Sequence, residues 1–145
     1  MQQEITANED QILLRSPSDP LERFGSRGSA TAASAAFVRS IIRARALRRQ
    51  FFDQNLFADP AWDILLELYA LKCEGLRVSV SKLSITADVP CTTALRWIDK
   101  LEAEWLVVRQ GDPLDGRRVW VELSDLGTRA MDTYVQQISS PAIGI

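Results

Sequence analysis

The sequence contains no histidine among its 145 residues. That removes the side chain most often used as a general base near neutral pH and the commonest nitrogen ligand for metals. Only two cysteines are present, Cys73 and Cys91, too few for a disulfide framework and suited to a reducing compartment. Long apolar runs are missing as well. The longest, Ile64 to Leu71, is interrupted by Glu67 and is far too short to cross a bilayer. The N-terminus lacks the basic, apolar, small-residue order of a signal peptide, so a cytoplasmic location and no membrane association are expected. No grouping of Asp, Glu, Lys or Cys proposes a catalytic site. The expectation is a non-enzyme with no cofactor and no metal.

What is present is ordinary for a globular domain: 46% hydrophobic and 25% charged residues, with a formal net charge of -2. A pI near 5.2 counts, taken alone, against nucleic-acid binding, because phosphate contacts demand a basic surface. The distribution matters more. Glu4, Glu9, Asp10, Asp19 and Glu22 crowd the N-terminal segment, while Arg39, Arg43, Arg45, Arg48 and Arg49 cluster further on. An acidic tail therefore sits beside a more basic body.

Residues 1–34 are polar, with Pro17, Pro20 and a Gly/Ser/Ala stretch, and read as a flexible tail. Its apolar cluster Ile12-Leu13-Leu14 is either a docking motif for a protein partner or a few apolar residues in a disordered arm. A helix is expected over 35–52, with Phe37, Ile41, Ala44, Leu47 and Phe51 on one stripe. Asp59 and Pro60 are N-cap and first-turn signals for a second helix, buried nearly all round, that stops at Gly75. Val78-Ser79-Val80 alternates like a very short strand. Ser81 is then expected to cap a brief helix from Lys82 to about Ala87, broken by Asp88-Val89-Pro90. A helix over 91–104 follows. Next come a strand from Leu106 to Arg109, a turn from Gly111 to Gly116 and a returning strand from Arg118 to Leu123. Ser124 caps a last helix over 125–138.

Helix, short strand, short helix, tight turn, helix and β-hairpin make a winged helix-turn-helix, whose second paired helix enters the major groove. At about 100° per residue, Ala94, Trp97, Ile98 and Leu101 of helix 91–104 share a core side. Thr92, Thr93, Arg96, Asp99 and Lys100 share the other. Short hydroxyls near a helix N-terminus reach phosphates or base edges, and arginine grips guanine bidentately. An ordinary solvated polar face explains this helix alone equally well, and Asp99 suits that reading. The hairpin shifts the balance: its tip carries Arg117 beside Asp115, with Arg118 next, and an arginine there suits a narrow minor groove. Trp62, Trp97 and Trp120 read as core aromatics rather than stacking platforms. Cys91, at the start of the groove helix, reads as a small residue filling a turn or as a redox-sensitive thiol.

The stretch from Val89 to Met131 resembles the multiple-antibiotic-resistance regulator (MarR) family. The resemblance rests on Pro90-Cys91-Thr92-Thr93-Ala94-Leu95-Arg96-Trp97-Ile98-Asp99-Lys100-Leu101-Glu102, on Leu106-Val107-Val108-Arg109, and on the wing Asp112-Pro113-Leu114-Asp115-Gly116-Arg117-Arg118. Leu123-Ser124-Asp125-Leu126-Gly127 matches the start of the family's following helix. The resemblance implies that Arg117 is the minor-groove arginine and Asp115 the carboxylate that orients it. It also implies that Thr92, Thr93, Arg96 and Lys100 sit on the groove side. Trp105 departs from the pattern, standing where the family usually has a left-handed glycine. Either the helix end differs there or Trp105 plugs the core. The family's usual further dimerisation helix has no counterpart after Gln137, so the arginine-rich helix and the tail substitute for it or the dimer is unlike the family's.

The expectation is thus a mainly α domain over 35–145 with a small antiparallel β-wing from Val107 to Leu123. Helices 35–52 and 125–138 flank it as dimerisation elements, not needed to complete the core. The expected function is sequence-specific binding of double-stranded DNA by a homodimeric transcriptional regulator. Its contacts would come from Ser81, Lys82, Thr92, Thr93, Arg96, Lys100, Arg117 and Arg118, with Asp115 orienting the wing. The alternative is a winged-helix adaptor that binds proteins and not DNA.

Overall fold

The computed structural model describes residues 12–14 and 25–140. In chain order its elements are strand β1 (Ile12–Leu14), helix α1 (Gly25–Leu47), helix α2 (Pro60–Cys73) and strand β2 (Leu76–Ser79). Helix α3 (Val80–Thr86), helix α4 (Cys91–Ala103), strands β3 (Val107–Asp112) and β4 (Asp115–Leu123) and helix α5 (Asp125–Ser139) follow. Short 3-10 turns at Arg48–Gln50 and Gln54–Leu56 join α1 to α2. The result is a winged helix-turn-helix: α3 and α4 are the paired helices, and β3 and β4 are the wing.

Helix α2 is the hub, with Ile64, Leu66, Leu68, Tyr69, Ala70 and Leu71 all buried. Pro60 opens it, where a missing N–H costs nothing, and Gly75 follows its end with φ 73°. Around α2 gather Val38 of α1, Leu83 of α3, Ile98 and Leu101 of α4, Val107 and Val121 of the wing, and Met131 and Val135 of α5. One core therefore includes both flanking helices, which corrects the expectation that neither was needed to complete it.

Helix α1 begins at Gly25, well before residue 35, and ends at Leu47, short of residue 52. The stretch read as linker is rich in alanine, the best helix former, but lacks the large apolar residues that make a periodic stripe. The face against the core carries Ala35, Val38 and Ile42, whereas Leu47 and Phe51 of the expected stripe are exposed. Phe37 and Ile41 pack partly against the core from the side. In α5, Gly127, Met131 and Val135 are buried, while Leu126, Ala130 and Tyr134 face outward.

The sheet is antiparallel throughout, in the order β1-β2-β4-β3. Ile12-Leu13-Leu14 is a strand on its own chain, with Ile12 opposite Val78 and Leu14 opposite Leu76. The reading of residues 1–34 as one flexible tail is corrected at this strand and at the start of α1; its remaining residues lie outside the described ones. The wing strands also run further than expected. Only Pro113 and Leu114 separate them, because the Asp112 carboxylate accepts the Leu114 N–H at 2.8 Å and tightens the turn.

Candidate nucleic-acid interface

Helix α4, the second of the paired helices, is bounded by two turns of the same kind. Helix α3 is capped by Ser79, not Ser81: the Ser79 hydroxyl accepts the Lys82 N–H at 3.3 Å. At the other end Asp88 takes φ 55°, its N–H donating to the Ile85 carbonyl while the Val89 N–H donates to Ser84. This is the Schellman arrangement, with a left-handed residue closing the helix. Pro90 then starts α4 without offering a side-chain cap.

The end of α4 repeats the arrangement. Trp105 has φ 63°, its N–H donates to Glu102 at 2.9 Å, and the Leu106 N–H donates to Leu101 at 3.0 Å. The left-handed backbone expected of glycine is therefore present with tryptophan in it. The indole does not plug the core; Trp105 is 77% exposed. Its carbonyl accepts the Ser124 hydroxyl at 2.5 Å, and Ser124 in turn caps α5 through the Gly127 N–H. Gly127 has to be glycine here, since a Cβ would lie 2.1 Å from the Leu106 carbonyl oxygen.

Between these caps, α4 buries Ala94, Ile98 and Leu101. Thr92, Arg96, Asp99 and Lys100 are exposed on the opposite side, and Thr93 is partly so. Trp97 is only partly buried and carries the Lys100 ammonium over its ring, 4.4 Å from the centroid. That contact directs Lys100 across the helix toward Trp97. Ser81 is exposed at the start of α3, its hydroxyl 3.3 Å from that of Ser79, and Lys82 beside it is partly buried. Cys91 is exposed at the first residue of α4. Cys73 is half-buried, and desolvation pushes its thiol up to about 11.

At the wing tip the Arg117 side chain is 97% exposed. Asp115 sits beneath it, accepting the Arg117 N–H at 3.0 Å, with the guanidinium 3.7 Å from the same carboxylate. Arg118 points the other way. It lies over the buried Trp120 ring and 3.5 Å from the buried carboxylate of Asp112, so it braces the wing rather than extending from it. Arg77 of β2 also stacks on Trp120, at 5.2 Å.

Sequence reasoning missed Arg109. From β3 its guanidinium reaches back to α4, 2.6 Å from Asp99 and 2.7 Å from Glu102. Hydrogen bonding from Arg109 holds the Glu102 carboxyl below its ordinary value and raises that of Arg109 itself. The signal was present as two carboxylates three residues apart on a helix face, followed by an arginine in the next strand. Three of the five arginines that suggest a basic body, Arg39, Arg45 and Arg49, are paired with carboxylates instead. Arg39 binds Glu67 at 2.8 Å and Glu74 at 2.6 Å, Arg45 binds Asp63 at 2.6 Å, and Arg49 reaches Asp88 at 3.5 Å.

No protein-family model matches the chain, and no curated protein matches it. Solved structures do. The transcriptional regulator PA4135 is similar at 22% identity over 65% of this chain and 69% of its own, with a TM-score of 0.46. The PcaV transcriptional regulator of Streptomyces coelicolor, with its natural ligand, is 20% identical over 66% of this chain and 73% of its own, TM-score 0.45. A cysteine-to-serine mutant of MarR from Escherichia coli, complexed with operator DNA, is 18% identical over 83% of this chain and 78% of its own, TM-score 0.45. Transcriptional regulators, MarR of Escherichia coli among them, are thus among the solved structures to which this chain is similar.

Proposed function

We propose that the protein is a sequence-specific transcriptional regulator that binds double-stranded DNA, with α4 in the major groove and Arg117 in the minor groove. One observation carries this reading. A 13-residue helix buries one side and turns Thr92, Arg96 and Lys100 outward, beside a hairpin whose tip extends a fully solvated arginine. A helix of that length is about 20 Å long and fits the major groove, and cations on its outer side meet phosphates and guanine edges. The uncapped start of α4 supports the same orientation, with backbone N–H groups directed at a phosphate.

A single winged helix reads only a few base pairs. Two-fold pairing, with recognition helices one DNA turn or about 34 Å apart, supplies the remaining affinity. We assign the pairing surface to outward residues of the flanking helices, Leu47 at the end of α1 with Phe51 just after it, and Leu126 and Tyr134 on α5, all exposed. A regulator of this kind works in the cytoplasm; among the described residues no helix is long and apolar enough to cross a membrane.

Selection from a pool of random duplexes tests the reading. Enrichment of a pseudo-palindrome, bound more weakly as salt rises, is the expected result. The second reading, a protein-binding adaptor, is favoured by Phe51, Phe52, Leu56 and Phe57, which are exposed together in the α1–α2 connection. Failure to enrich any duplex would leave the adaptor in its place.

A further inference from the structure

We infer that Arg109 is a positioning residue for DNA recognition: it masks the carboxylates of α4 so that the groove side presents only cations and hydroxyls. The inference rests on the DNA reading above and adds a part that the groove residues alone do not explain. Asp99 lies on the same exposed side as Arg96 and Lys100, with 61% of its side chain in solvent. A bare carboxylate there would face the phosphate backbone and repel it. It is not bare. The Arg109 Nη2 donates to Asp99 Oδ1 at 2.6 Å and to Glu102 Oε1 at 2.7 Å, while Nε reaches Glu102 Oε2 at 3.5 Å.

The geometry suits arginine and not lysine. A planar guanidinium presents donors in a fixed fork and spans two carboxylates at once, whereas an ammonium is a point charge. The clamp also crosses between elements, because Arg109 stands on β3 and its partners on α4. It therefore sets the wing against the groove helix, and with it the separation of Arg117 from Arg96. Charge masking and wing placement follow from the same three hydrogen bonds.

The two effects are separable. Arg109→Gln exposes Asp99 and loosens the wing; adding Asp99→Asn removes the exposed charge but does not restore the clamp. Binding of the selected duplex is measured for the unaltered protein, Arg109→Gln, Asp99→Asn and the double variant, with melting temperature followed in parallel. Arg109→Gln should weaken binding about tenfold. Asp99→Asn alone should bind at least as well as the unaltered protein, and the double variant should recover most of the loss. Arg109→Lys, which keeps the charge and most of the stem, should recover only part of it. If Arg109→Gln and the double variant are equally weak, Arg109 does not act by masking Asp99 and the inference fails while the DNA reading stands. If the unaltered protein enriches no duplex, the DNA reading fails and takes this one with it.

Discussion

Two groups of cations divide the molecule, and they are used in opposite ways. On α1 and the 3-10 turn that follows it, Arg39, Arg45 and Arg49 each meet a carboxylate of α2, its C-terminal turn or the α3–α4 turn, and together they fasten the long helix to the winged-helix body. On α4 and the wing, Arg96 is exposed, Lys100 rests on a tryptophan ring, and Arg117 is almost wholly in solvent. Density of arginine in the sequence pointed to the first group. Availability for a phosphate belongs to the second. The difference is one of partners: a cation buried beside a carboxylate has exchanged its water for a fixed anion, and little of its field reaches outward.

Substitutions in either group of cations test this division of labour. The largest effect belongs to Arg39→Ala, because it strands Glu67, which is 7% exposed, without its guanidinium. A loss of about 3 kcal/mol in urea unfolding is expected, with duplex affinity of the folded protein unchanged. Weaker binding without loss of stability would place Arg39 in the wrong group. Arg96→Ala should do the reverse, costing roughly 1–3 kcal/mol of discrimination between the selected site and a single-base variant, with an unaltered melting temperature. Arg117→Ala should lower affinity by roughly 1 kcal/mol and reduce the slope of log affinity against log salt by about one, read from titrations at several salt concentrations. An unchanged slope would make Arg117 a solubility residue.

Smaller effects mark the joint between the groups. Trp105→Gly should stabilise by up to about 1 kcal/mol, because glycine takes the left-handed backbone without strain and little indole packing is lost. Thermal denaturation measures it, and destabilisation would show that the exposed indole packs on something after all. The Arg109–Glu102 contact holds the Glu102 carboxyl below its ordinary 4.5. Its small stabilisation is present above that value and lost as pH falls through the lower folded-state value. Acid titration of Glu102→Gln should show less loss than the unaltered protein over that range.

Much of the fold was legible because local rules and tertiary packing agree. Asp59-Pro60 and Gly75 bound α2, Ser124 caps α5, and the core side of α4 follows from helical angle at Ala94, Ile98 and Leu101. The exposed side of α4, with Thr92, Arg96 and Lys100, follows from the same angle. On α1 the stripe through Phe37, Ile41, Ala44, Leu47 and Phe51 competes with one through Ala35, Val38 and Ile42, and periodicity alone does not say that the second is the one turned to the core. Arg118 stands next to Arg117 in sequence, but alternation along a strand sends neighbours to opposite faces, and Arg118 settles on Trp120.

Local order along the chain was enough for the bounds of α2, the Ser124 cap of α5, the wing hairpin and the two sides of α4, since these depend on residues within a few positions of one another. Tertiary structure alone decided which charges remain available. Glu67 and Glu74 are remote from Arg39 along the chain, and Asp99 is separated from Arg109 by the end of a helix. Coulomb energy depends on distance in space and on the water between charges, and neither quantity is written in the order of residues.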